Sequence, residues 1–542
     1  MGIHRLISGS LAGLVATLAQ AGIACGLAGC DQPSSSDARA TSPEVAFLLA
    51  PFRPDDSDSD ELFRFEPGHD VETYDGELVR VHFTRTGPDA VKLADSDGNE
   101  VPDAVDLVAA TYAEVLTFFG ELGFRAPVTD LGAVQGDGGD GRLDVYLIDF
   151  GGASDGAWVR ERCDAHARCS GYVVQENDFT GYGYPSYRVA SRILASHELF
   201  HAVQAAYDAN QGANWSEATA VWASERFDPS LSDLESFADG WLEAPDRSID
   251  QEPIGPIAAY SYGLGIFAQY LYERFGDAVH LELWDAVEDG ANGVADPHWL
   301  TALVALLASD FESTFDAEWV TFAQWALRAG HGALGGPTFG SAEDLPRMAR
   351  DVVTLPFSDD KLRVYATSVQ VWSTKGDEVA VAIVSTTDGD TDGLHLVTGL
   401  RKGDQVKTVA QSGLTATLDG GGADEVIVAV VSTNLEGNSK RPGLCIGTSD
   451  DVVACVAEFV PTNPDVSEPG PELVEPGPEE SPEESPEPQA EPDESIESGA
   501  EIADAQASKD EGCAGAGPLN SGMMIGLGLL LTKRRAAKCL LS

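Results

Sequence analysis

The run His197-Glu198-Leu199-Phe200-His201 restricts what this chain can fold into more than any other stretch, because its chemistry requires a helix. On a helix, residues four apart lie one turn apart on the same face, so the two imidazoles project together and can share a tetrahedral metal ion. The surrounding residues agree. Ile193, Leu194, Leu199, Phe200 and Val203 recur mostly at helical intervals without an intervening Gly or Pro, which predicts a helix over Arg188–Asp208. Glu198 is rotated one residue off the imidazole face, where it can reach a water on the metal without occupying a ligand position, as a general base must. With 10 His in 542 residues, chance supplies such a motif only about 0.01 to 0.02 times per chain, so two merely packed helix histidines are the weaker explanation.

A catalytic zinc takes three protein ligands and keeps one position open. No Gly-x-x-His follows His201, since Tyr207 and Asp208 occupy that stretch, which argues against a metzincin arrangement. The next helical pattern, Trp215 to Glu225, offers Glu217 and Glu225, of which Glu217 is preferred. His-Glu-x-x-His followed by Trp-x-Glu-x-x-Ala-x-Trp resembles the gluzincin clan of zinc metallopeptidases. The wider stretch, with Asp144-Val145-Tyr146-Leu147-Ile148-Asp149 and His197 through Gln204, resembles a family of bacterial surface proteins predicted to be metallopeptidases; together the resemblances cover roughly residues 80–330. They imply a zincin-like α/β (α+β) domain, Zn²⁺ on His197, His201 and Glu217, catalysis by Glu198, and a Tyr or His supporting the oxyanion. Tyr262 is the candidate for that last role and Tyr260 the runner-up, with aromatic packing beside Tyr270 and Tyr272 an equal alternative. Two departures stand out: Ala218 replaces the Gly that often follows the third ligand, and the interval from His201 to Glu217 is shorter than in thermolysin.

The strand pattern at residues 171–176 precedes the helix and is read either as an edge strand open to an extended substrate or as an internal strand. Asp95, Asp97, Asn99 and Asp103 place oxygen side chains around Gly98 and resemble calcium loops of thrombospondin-type repeats, making Ca²⁺ a second candidate ion. An acidic turn capping a helix over 102–122 carries equal weight. Gly136 to Gly141 lacks a following Lys-Ser/Thr and reads as a turn, not a phosphate loop.

Beyond the first domain, placed at 71–340, residues 345–458 alternate short Val/Ile-rich runs such as 378–384 and 425–431 with Gly-Asp turns, which predicts an all-β sandwich-like domain. Residues 31–70 read as a flexible linker, and 459–511 as a disordered acidic Pro/Glu-rich stalk. The amino end, 1–30, carries a basic residue, an apolar stretch and Leu27-Ala28-Gly29-Cys30, which reads as an export signal and resembles the bacterial lipoprotein box, implying lipidation at Cys30. The carboxyl end, 512–542, has Cys513, a short apolar segment and Lys533-Arg534-Arg535, and resembles myxobacterial surface sorting tails. Four cysteines remain in the exported body, and the local pairs Cys163 with Cys169 and Cys445 with Cys455 are the economical disulfides for an oxidising compartment.

With 33 basic against 89 acidic residues the net charge is −56, which repels nucleic acid and anionic lipid. The expectation is therefore a monomeric, membrane-anchored lipoprotein on the outer cell surface, acting as a zinc metalloendopeptidase on protein or peptide substrates. Its rival is a metal-binding surface adhesin without turnover.

Overall fold

Strands β1 (Val71–Asp75), β2 (Val79–Thr84), β3 (Leu143–Ile148), β4 (Gly156–Cys163) and β5 (Cys169–Glu176) form a mixed sheet in the order β1-β2-β3-β5-β4. The computed structural model describes residues 53–56, 63–132, 138–152, 154–251, 259–333, 336–437 and 439–459. The central strands β2, β3 and β5 are parallel, and β1 and β4 flank them antiparallel. β3 and β5 are buried almost throughout, as parallel strands covered on both faces require. Residues 171–176 thus form an internal strand, and the edge beside the helices is β4. The Cys163–Cys169 disulfide closes the β4–β5 hairpin.

Helices α1 (Asp103–Leu122) and α2 (Tyr187–Gln204) cover one face, burying Val108, Tyr112 and Val115 together with Leu194, Leu199 and Val203 against Val81, Val145 and Val173. Ser186 caps α2 by accepting the Val189 N–H at 3.2 Å. The helix stops at Gln204, short of the predicted Asp208, because the Ala205 carbonyl is taken by the Cys169 N–H of β5 at 2.8 Å. On the other face Phe63, Phe65, Tyr146, Ile148, Tyr172 and Val174 form a separate core. Arg53 lies there too, paired with Asp130, Asp144 and Glu161. Arg53, Phe63 and Phe65 belong to the segment read as linker from sequence, yet all three are buried.

A helical lobe follows, made of α3 (Ala213–Phe227), α4 (Asp233–Phe237), α5 (Asp239–Leu242), α6 (Ala259–Gly263), α7 (Gly265–Phe275), α8 (Ala278–Ala286), α9 (Trp299–Ser309) and α10 (Phe315–Ala326). It buries Trp215, Trp222, Trp241, Trp284, Trp299 and Trp319. The α5 and α6 backbones touch: a Cβ at Gly263 would stand 2.2 Å from the Trp241 nitrogen, so only glycine lets α6 come this close.

The remaining strands are β6 (Gly332–Ala333), β7 (Asp351–Val352), β8 (Phe357–Asp359), β9 (Val369–Thr374), β10 (Glu378–Val384), β11 (Leu394–Lys402), β12 (Gln405–Ala410), β13 (Thr415–Asp419), β14 (Glu425–Ser432) and β15 (Gly443–Gly447). They build two sheets, β13-β10-β15-β8 and β6-β12-β11-β14-β9-β7. Val379, Val381, Ile383, Leu444 and Ile446 of the first meet Leu396, Val426, Val428 and Val430 of the second in one core, a sandwich-like arrangement. The outward face of the larger sheet, with Val371, Val397, Ile427 and Ala429, joins the core of the helical lobe. A helix not anticipated from sequence, α11 (Ser449–Phe459), packs on β10 and β15 and is tied down by the Cys445–Cys455 disulfide. Among the described residues no helix is long and apolar enough to cross a membrane. Cys30, the export segment, the acidic tract beyond Phe459 and the carboxyl-terminal tail lie outside the described residues.

Candidate metal centre

The residues of the His-Glu-x-x-His run sit on α2, and α3 brings Glu217 against them. Aromatic packing sets the rotation of α3: Trp215 stacks flat on Trp299 at 4.5 Å and 2°, and Trp222 packs on His280 at 3.9 Å and on Phe200 of α2 at 5.8 Å. Glu217 lies between these two tryptophans in sequence and faces α2. The His197 and His201 Nε2 atoms are 3.2 Å apart, and Glu217 Oε2 lies 3.2 Å from the first and 3.4 Å from the second. A tetrahedral zinc shell with ligand distances near 2.0–2.1 Å has edges of about 3.3 Å. The triangle therefore has the dimensions of three corners of such a shell, and the donor set of two imidazoles and one carboxylate suits that ion.

Gln204 fixes which imidazole nitrogen is offered. Its Nε2 donates to the Ser216 carbonyl at 2.8 Å and to Thr219 Oγ1 at 3.0 Å, so its Oε1 is the atom that meets His201 Nδ1 at 2.8 Å. A carbonyl oxygen only accepts, so Nδ1 carries the proton and Nε2 is left for the metal. The same side chain joins α2 to the turn of α3 that bears Glu217.

The electrostatics favour a cation at this point. Burial pulls the His201 pKa down, but the Glu217 carboxylate outweighs it and the imidazole is held as a stronger base than usual. Glu217 shows the reverse: burial pushes its pKa up, and the charge of His201 brings it well below the ordinary carboxylate range. Burial lowers the His197 pKa. Glu198 is fully buried; burial, with the charge of Glu217 adding to it, pushes its pKa up to about 8. Its Oε2 accepts the Trp158 N–H of β4 at 2.7 Å, and its Oε1 has no hydrogen-bond partner among the described residues.

Tyr262, on α6, stands 5.7 Å from the His197 ring and stacks on Phe237 at 5.0 Å. Tyr260 points elsewhere, donating its hydroxyl to the Arg247 carbonyl at 3.1 Å. Glu225 lies about 12 Å farther along α3 at 1.5 Å per residue. Burial first, then the charges of Glu235 and Asp233, push its pKa up to about 8, and neither histidine is among its partners. Glu217, not Glu225, is the carboxylate beside the imidazoles.

The loop of Asp95, Asp97, Asn99 and Asp103 turns its oxygens onto its own backbone. Asp95 accepts the N–H groups of Gly98, Asn99 and Glu100, Asp97 that of Asn99, Asn99 that of Val101, and Asp103 that of Ser96. Among the described residues, groups of three His, Cys, Asp or Glu side chains that could hold a metal lie at His197, His201 and Glu217 and at Asp208, Asp289 and Asp296. Both Asp208 oxygens in the second group already accept hydrogen bonds, from the Asn210 N–H and from Gln211 Nε2.

Sequence reading missed the backbone N–H of Trp158, which orients Glu198 by donating to its carboxylate from the edge strand, a contact without a local signature. It also gave no role to Gln204, although its place three residues after His201 on the same helix face is a usable signal. No family model matches the chain, and no curated protein is similar to it.

Proposed function

We propose that this chain is a zinc-dependent metallopeptidase of the gluzincin type, exported and held at the cell surface, that hydrolyses peptide bonds in protein or peptide substrates. The observation that carries this reading is the buried triangle of His197, His201 and Glu217, beside which one Glu198 oxygen has no hydrogen-bond partner among the described residues. A zinc ion held by these three residues would acidify a water and polarise the scissile carbonyl. The Trp158 N–H holds Glu198 Oε2, so Oε1 is the atom that takes the proton as the water oxygen bonds to the carbonyl carbon. Oε1 then passes that proton to the amide nitrogen as the C–N bond breaks. Tyr262, whose ring centroid lies 5.7 Å from that of His197, would in this reading donate to the developing oxyanion. The outer edge of β4, which has no backbone partner among the described residues, offers an extended peptide a ladder of hydrogen bonds. The two disulfides suit an oxidising compartment.

The test is metal content and turnover of the purified chain. About one zinc per chain is expected, lost in His201→Ala, and equal sub-stoichiometric metal in both would sink the zinc assignment. Glu198→Gln should keep the metal and lower peptide cleavage about 10²–10⁴-fold. Identical peptide profiles for wild type and this variant would favour the adhesin without turnover.

A further inference from the structure

At the far end of β4, around the disulfide-closed hairpin, a cavity of about 620 Å³ is lined by Arg125, Arg162, Arg168, Ser170, Asp164 and Glu288. Three guanidiniums gather at this one cavity, beside the carboxylates of Asp164 and Glu288. Two of them are engaged: Arg125 bonds Asp285 at 2.8 Å and Glu288 at 2.9 Å, and Arg168 bonds Asp164 at 2.6 Å. Arg162 is exposed and has no ion pair or hydrogen bond among the described residues. Ser170 is buried, and its hydroxyl is likewise without a partner there. Arg162 and Ser170 are direct cross-strand partners in the β4–β5 hairpin, so their side chains stand on the same face with Cβ atoms about 5 Å apart. A guanidinium fork beside a hydroxyl, both without acceptors, matches a carboxylate, which accepts from both.

We propose that this cavity takes the carboxylate of an acidic side chain in a peptide lying along β4. The placement rests on the peptidase reading above. Trp158 meets Glu198 near the start of the strand, and Arg162 lies about 10 Å farther on, because a bulge between Arg160 and Arg162 sets this interval against only Val173 to Ser170 of β5, at about 3.3 Å per residue. A peptide antiparallel to β4 runs from the cavity toward the metal centre. The acidic residue therefore sits about three positions to the amino side of the one facing Trp158. A free dicarboxylate shares the ligand chemistry and is the other source to distinguish.

The experiment uses the full chain as Glu198→Gln, which leaves peptides intact, and compares by calorimetry a Glu-bearing peptide, its Gln counterpart and glutarate. The Glu peptide should bind about tenfold tighter than the Gln peptide or better, with the difference shrinking as salt rises. Adding Arg162→Gln should abolish the difference and Ser170→Ala should reduce it. Equal affinities of the two peptides overturn the proposal. So does Arg162-dependent binding of glutarate without discrimination between the peptides, which assigns the cavity to a small acid. If the Glu peptide binds in an Arg162-dependent way but the wild-type chain cleaves neither peptide, the peptidase reading fails and this site stands.

Discussion

Gln204 is the residue through which the proposed metal centre depends on its surroundings. It selects the His201 tautomer and anchors the α3 turn that carries Glu217, all through one amide. Gln204→Ala should lower zinc affinity about 10–100-fold, read by competition with a chelator, while the far-ultraviolet circular dichroism stays unchanged. Unaltered affinity would mean that Gln204 merely packs. The pair His197 and His201 was legible in sequence because helical spacing alone brings them together. Glu217 and Glu225 could not be separated that way: both lie on α3, and only their neighbours, the imidazoles for one and Glu235 with Asp233 for the other, tell them apart. Tyr260 and Tyr262 were ambiguous for the same reason, until the Arg247 carbonyl claimed the Tyr260 hydroxyl.

At the level of elements, α4 meets the α3 helix in a buried acidic contact with a definite pH signature. Asp233 is buried; burial, then the charges of Asp155 and Glu235 working against a Ser224 hydrogen bond, push its pKa up to about 7. Its unfolded value is about 3.9, so between these limits the folded chain holds a proton that the unfolded chain releases. The contribution of Asp233 to stability is therefore most favourable below the unfolded value, declines as pH rises toward 7, and levels off above. Asp233→Asn removes that dependence. Its stability relative to wild type should improve by about 1–3 kcal/mol between pH 5 and pH 8, measured by urea unfolding at the two pH values. A difference between the two chains that does not change with pH would contradict the assignment. Element type was mostly readable from sequence, as the strands near 378–384 and 425–431 show. Strand order was not: β4 and β5 look alike along the chain, and which of them forms the edge is settled by the parallel pairing of β5 with β3. Helix α11 was overlooked because it is short and adjoins the acidic tract, although Val452, Cys455, Val456 and Phe459 recur at helical spacing and pack on Ala382, Val384 and Cys445.

For the molecule as a whole, the helical lobe and the larger sheet of the sandwich share one core. Val371, Val397, Ile427 and Ala429 of the larger sheet share a core with Phe322 and Trp325 of α10. Backbone bonds cross the junction as well, from the Ala349 N–H to the Leu242 carbonyl at 2.8 Å and from the Val369 N–H to the Pro245 carbonyl at 2.7 Å. Calorimetry of the full chain should show a single transition, and a chain ending at residue 340 should melt about 5 °C lower or more. Two resolved transitions in the full chain would separate the units. The boundary near 340 was readable as a change in sequence pattern, but composition carries no record of the apolar face that spans it. Beneath the first sheet, Arg53 is the guanidinium shared by Asp130, Asp144 and Glu161, whose carboxyl groups would otherwise face one another in a layer nearly without water. Removing one partner from such a cluster costs several kcal/mol. Proteolytic trimming of the amino terminus would thus meet a limit at Arg53, since a cut behind it would leave those three carboxyl groups without the guanidinium they share.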